Sequence, residues 1–148
     1  MTEKDIQRAL TRRGQIFDHL RFLVIPNASW GINVHECDLL ALTGAGYAHE
    51  VEIKVSISDL KRDGRKRHRH QSPKIKYLWF AAPEEMRGAM IEHVPETAGI
   101  ILVQSVDNGH IVKIIRRPVP RKARKFSDYE RYRLARLGTI RYWTWALG

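Results

Sequence analysis

A disulfide within the chain is excluded at once, because the 148 residues contain a single cysteine, Cys37. A reducing cytosol is the expected setting, with Cys37 as a buried packing residue. Long apolar runs are missing too. No stretch approaches the roughly 20 residues that a helix needs to cross a bilayer. The opening MTEKDIQRAL is charged where a secretory leader would be apolar, so the expectation is a cytoplasmic protein without a membrane partner. Acidic residues are scarce: 16 Asp and Glu face 26 Lys and Arg, a net charge of +10 with an isoelectric point near 10.1. That excess favours a polyanionic partner, nucleic acid ahead of an anionic membrane surface. There is no internal repeat, and no glycine-rich phosphate loop precedes a helix.

At 43% hydrophobic residues the chain can bury an ordinary core, and one domain over residues 1–148 is expected. Apolar periodicity and turn signals give the order α-β-β-β-α-β-α-β-β-α, a mixed sheet flanked by helices with a C-terminal helical and aromatic extension. The first helix is capped by Thr2 and Asp5, with Ile6, Leu10, Ile16, Phe17 and Leu20 as its apolar side and an interruption near Gly14. A short strand from Phe22 to Ile25 ends at Pro26-Asn27, and Trp30 beside the next hairpin belongs to the core or its rim. KIKYLWFAA, Lys74 to Ala82, is the strand expected to be central, and Asn108-Gly109 turns a later hairpin. Ser127 to Glu130 is a capping box for a helix that Gly138 should stop near Leu137. In the closing TIRYWTWALG, docking of Tyr142, Trp143 and Trp145 into a core or a homodimer interface is weighed above stacking on bases.

The chemistry concentrates between Val34 and Val55. Two apolar strands flank Gly44-Ala45-Gly46, and a three-residue loop pairs Thr43 with Tyr47. Counting back along the antiparallel ladder sets Asp38 opposite Glu52 and Glu36 opposite Lys54. One face then carries Glu36, Asp38, Glu50, Glu52 and Lys54, and the other Cys37, Leu39, Val51, Ile53 and Val55. Opposed carboxylates repel, and a divalent cation is the natural compensation: Asp38 and Glu52 each offer an oxygen to Mg²⁺, and the backbone at Ile53 can add a carbonyl. Lys54 points the same way, able to orient a water or to offset charge on an attacked phosphate. A cross-strand salt bridge on a solvated face is the plainer alternative.

Asp38 followed by Glu52-Ile53-Lys54 resembles the D…(D/E)-x-K motif of the PD-(D/E)xK nuclease superfamily, with Cys37 where the name-giving proline would stand. The flanking PNASWG and VSISDLKRDGRKRH are similar to stretches of small phage and bacterial nuclease-like proteins, including MmcB-like DNA repair proteins. This resemblance implies a restriction-endonuclease-like fold. It also implies Mg²⁺-dependent (or Mn²⁺-dependent) cleavage of duplex or branched DNA in repair, recombination or phage DNA processing, with Asp38, Glu52 and Lys54 catalytic. An acid from the first helix, Glu3 or Asp5, is a further ligand in some such nucleases, although either could simply favour the helix dipole.

Past Lys54, Ser56 or Ser58 caps a helix whose cations run from Lys61 to Arg69. Lys61, Arg65 and Lys66 are the expected phosphate contacts, set against the plain reading of a solvated charged face. His68 and His70 have ligand-like spacing, but the surrounding cations disfavour a second metal. Gln71 and Tyr77 lie six residues apart, which does not match the exonuclease Gln-x-x-x-Tyr element. RRPVPRKARK is a solvated arm or a second phosphate-contacting segment. The competing readings are a nucleic-acid-binding module that keeps the fold without turnover, and a small basic packaging protein.

Overall fold

A computed structural model of the chain describes residues 1–28, 36–63 and 72–148. Six strands form one sheet in sequence order: β1 (Leu23–Ala28), β2 (Cys37–Leu42), β3 (Ala48–Ile53), β4 (Ile75–Pro83), β5 (Gly99–Val106) and β6 (Gly109–Arg116). The first three pair antiparallel, β3, β4 and β5 run parallel, and β6 returns antiparallel on β5. Among the described residues four α-helices flank it: α1 (Glu3–Thr11), α2 (Ile57–Asp63), α3 (Arg87–His93) and α4 (Asp128–Leu147). This is a mixed α+β fold in the element order expected. Parallel neighbours need crossovers, and the segments holding α2 and α3 supply them.

Both faces of the sheet are covered. On one, α1 lays Ile6, Ala9 and Leu10 with Phe17 against Leu39, Val51, Ile53, Trp79 and Ala81. On the other, α4 packs Leu134 against Ile25, Leu40 and Leu42, while α2 and α3 pack Leu60 and Met90 against Leu78, Phe80 and Leu102. β4 feeds both faces by simple alternation, which explains why KIKYLWFAA is so continuously apolar. Cys37 departs from its expected face: at the first residue of β2 it is buried with Ala28 and Leu40, and its thiol lies 3.7 Å from the Ala28 carbonyl. Val55 stands past the end of β3 and is exposed.

Three further expectations need correction. The first helix is shorter: after Thr11 the backbone turns through Gly14 at φ +84°, and buried Asp18 accepts the amides of Gly14 (2.7 Å) and Leu20 (2.9 Å). Ile16 and Phe17 reach the core from this turn, and Leu20 is 67% exposed. Strand β1 does not end at Pro26-Asn27 but continues to Ala28, with Asn27 at φ +50°, a conformation Asn tolerates better than most residues. The last helix runs through Gly138 to Leu147. A mid-helix glycine costs only about 1 kcal/mol, and here it lets the helix lie against Ile25 on β1, since a Cβ at 138 would come 2.6 Å from Ile25 Cδ1. Tyr142, Trp143 and Trp145 therefore lie on an exposed helix, docked into no core. No helix among the described residues is long and apolar enough to cross a membrane.

The capping boxes at Thr2/Asp5 and Ser127/Glu130 are both present, and Ser56 is the serine that caps α2, accepting the Asp59 amide. Gly99 faces Trp79 across the β4–β5 ladder, and an added Cβ would collide with the indole ring and with Pro118. Both are rigid rings that cannot rotate away. Gly99→Ala is expected to lower unfolding free energy by about 1–3 kcal/mol, as overpacking does. Urea denaturation would check this, and an unchanged midpoint would show that the rings yield.

Candidate functional site

The Gly44-Ala45-Gly46 loop closes as expected: the Thr43 amide donates to Tyr47 O at 2.9 Å, Thr43 Oγ1 accepts the Tyr47 amide at 3.0 Å, and Gly46 takes φ +98°. Leu42 then pairs with Ala48, Leu40 with Glu50 and Leu39 with Val51. One step further along this register Asp38 comes opposite Glu52. Here the strands part, and Asp38 Oδ2 accepts the Ile53 backbone amide at 2.7 Å. One oxygen is thus spent on holding the end of β3. Glu36 is exposed and lies beyond the ladder, so its expected pairing with Lys54 is not formed.

Asp38, Glu50 and Glu52 form one carboxyl group cluster. Glu50 is fully buried and Glu52 is 7% exposed, and the Glu52 carboxyl is within hydrogen-bonding reach of both Asp38 and Glu50. Burial above all, then the charges of Asp38 and Glu50, raise the Glu52 pKa well above the carboxylate range. Burial also raises Asp38, to about 6, helped by the charge of Glu3 and resisted by the Ile53 amide.

Lys54 is 6% exposed and enters from beyond β3, its backbone amide bonded to Ala81 O at 2.9 Å. Its Nζ lies 2.9 Å from Asp63 Oδ1 and 4.0 Å from Glu52 Oε2. Burial pulls its pKa down, but the Asp63 hydrogen bond and the surrounding acids outweigh that and raise it. Asp63, in sequence only an acid offsetting a basic run, thus anchors Lys54 from the last residue of α2. Gln7 also went unnoticed: its Nε2 donates to the Asp38 backbone carbonyl at 2.7 Å. Asn27 Nδ2 holds Glu3 Oε1 at 3.2 Å. The two acids of α1 separate cleanly, for Asp5 is consumed by its capping box while Glu3 acts on Asp38. The helical spacing of Glu3 and Gln7, on one side of α1, was the available signal.

The residues present suit a divalent cation in one respect: buried acid outweighs local base, and a cation could balance the charge. Asp38, Glu52 and the Ile53 carbonyl could hold it, with water or phosphate completing the set. Among the described residues no three Asp, Glu, His or Cys side chains converge as a ready-made ligand group. Lys61 is exposed on α2. Arg65 and Lys66, with Trp30, His68, His70 and Gln71, lie outside the described residues.

No protein-family model matches this chain, and no curated protein matches it. Among solved structures the fold is similar to that of a protein of unknown function from Silicibacter pomeroyi, with a TM-score of 0.67 over 96% of this chain and 86% of the other, at 15% identity. At that identity the likeness establishes the fold alone.

The raised Asp38 pKa sets a sign. The folded state holds this proton more tightly than the unfolded chain, so the contribution to stability is full below about pH 4 and is lost as pH rises through about 6. The difference between about 6 and an ordinary carboxyl group corresponds to about 3 kcal/mol. In chelator, the stability of Asp38→Asn relative to wild type should therefore rise by up to that amount between pH 4 and pH 7. Burial lowers His49 to about 4, which drives stability the opposite way over the same range; comparing the two proteins cancels it. A parallel pair of stability-pH curves would show that Asp38 is not perturbed.

Proposed function

We propose that this protein is a metal-dependent phosphodiesterase acting on DNA, an endonuclease of the PD-(D/E)xK type using Mg²⁺ or Mn²⁺. The observation that carries the proposal is that the half-buried Asp38 and buried Glu52 carboxyl groups come opposite each other where β2 parts from β3, with Asp38 Oδ2 on the Ile53 amide at 2.7 Å and Lys54 Nζ 4.0 Å from Glu52. The charge of +10 supports a polyanionic substrate. A divalent cation bound there would polarise a phosphate ester and lower the pKa of a water molecule. Asp38 and Glu52 would hold the cation with oxygens presented from two strands whose spacing the hairpin sets. The Asp38–Ile53 amide bond holds one of these oxygens in place. Lys54, kept charged and oriented by Asp63, faces the developing negative charge of the attacked phosphate. Exposed Lys61, with Arg65 and Lys66 following it in sequence, would contact flanking phosphates.

A second reading, a DNA-binding module without turnover, draws on the engagement of Lys54 by Asp63. Two experiments separate the readings. Calorimetric titration with Mg²⁺ or Mn²⁺ should show binding that Asp38→Ala or Glu52→Ala removes, and the same variants should abolish cleavage of linear, circular, single-stranded and branched DNA while retaining DNA affinity. Cleavage by either variant at the wild-type rate would overturn the metal assignment, and binding without any cleavage would establish the module.

Lys54→Met should lower turnover by about two orders of magnitude or more with little change in affinity, because its contact matures in the transition state. Weaker binding with unchanged single-turnover rate would make Lys54 a mere phosphate clamp.

A further inference from the structure

At the opposite end of β3, and on its opposite face, lies a cavity of about 400 Å³ whose walls include Tyr47, His49, Tyr77 and Trp79, with Arg117 and Pro120 at its rim. His49 stacks on Tyr77, ring centroids 4.3 Å apart and planes 18° from parallel. The Trp79 indole N–H, which can only donate, points at His49 Nδ1 at 3.0 Å. Nδ1 must therefore accept, and the imidazole carries its proton on Nε2 as a second donor. Lys76 Nζ sits 4.0 Å from the Tyr47 ring centroid, and Lys125 Nζ 5.5 Å from it. Aromatic walls, an edge donor and adjacent cations match a planar heteroaromatic ring that carries phosphate.

The rim belongs to an ordered basic strap. Residues 117–126 form no regular element, yet four backbone amides tie them across the sheet: Val119 to Thr97 O (2.8 Å), Arg121 to Lys76 O (2.8 Å), Arg124 to Pro73 O (3.3 Å) and Phe126 to Gly46 O (2.9 Å). The segment from Arg116 to Lys125 holds six cations and no acid. Arg116 is used on the Ala98 and Pro95 carbonyls and Arg124 on Glu130, whereas Arg117 and Lys122 are exposed without a described carboxylate partner. The five residue steps from Arg117 to Lys122, if extended, reach up to about 17 Å. That is more than one phosphate requires, so the strap suits a strand over a mononucleotide. A second copy of this chain would bring +10 against +10.

We infer that this cavity receives an unpaired base of a single-stranded nucleic acid segment whose phosphates run along Arg117 and Lys122. The inference rests on nucleic acid as the partner, and it adds a substrate class: strands with unpaired bases, anchored away from the carboxyl groups. His49 Nε2 donates to a base carbonyl or ring nitrogen, and the aromatic walls accept any base, so sequence preference is weak.

The test is run in chelator, where cleavage plays no part. Full-length protein is titrated with a labelled single strand, its blunt duplex and thymidine monophosphate, and is photo-cross-linked to the strand carrying 5-iodouracil. Expected are cross-links on Tyr47 or Tyr77 and a loss of about tenfold in single-strand affinity for Tyr77→Leu, Arg117→Gln and Pro120→Trp, with duplex affinity little changed, in keeping with the worth of one stacked base. Pro120 is exposed at the rim, so Pro120→Trp fills the cavity mouth without touching the core. Unchanged single-strand binding by Pro120→Trp, or cross-links confined elsewhere, would overturn the inference. Competition by the mononucleotide at equal concentration would overturn the strand in favour of a free nucleotide. Since no outcome depends on turnover, a protein that cleaves nothing can still satisfy this test, and an active nuclease can still fail it.

Discussion

Burying acid beside acid is the constraint around which the strand pair is arranged. Three carboxyl groups, on Asp38, Glu50 and Glu52, occupy one face of β2 and β3 in a setting where each would rather be neutral. Water would relieve them, but α2, α3 and α4 cover that side of the sheet. The protein answers in three ways: a Glu52 carboxyl group whose pKa burial raises, a backbone amide from Ile53, and an ammonium group that is itself steadied by Asp63. Each answer is local, and each stands at the point where the ladder ends and the strands separate. A surface salt bridge between solvated partners would need none of them.

Much of this was open to inference from the residues. The pairing of Asp38 with Glu52 follows from a loop of two glycines and an alanine, because loop length alone sets antiparallel register. The order of elements followed from period and punctuation. What sequence could not show was where long-range contacts override local signals. Gly138 looks like a stop and is a point of close approach, because β1 passes beside it. Pro26-Asn27 looks like a strand end, yet the pairing with β2 carries the strand through both residues. Asp63 looks like one acid among many cations, and only the fold brings it to Lys54. The aromatic cavity draws on β3, β4, the β2–β3 turn and the strap after β6, so no window of sequence contains it.

The sheet thus carries polar groups at two ends for different reasons. The carboxyl end is strained electrostatically and tied by side chains. The aromatic end is neutral, since burial keeps His49 uncharged at physiological pH, and is framed by cations on a strap tied by four backbone amides and anchored by buried Phe126.

Asn27 joins parts of the molecule that are far apart in the chain. Its carbonyl accepts Arg141 of α4 at 2.7 Å, its side chain holds Glu3, and Gln7 beside it grips the carbonyl of Asp38. Arg141, Asn27 and Gln7 thus link the exposed aromatic half of α4 by hydrogen bonds to the backbone of the residue that starts the acidic cluster.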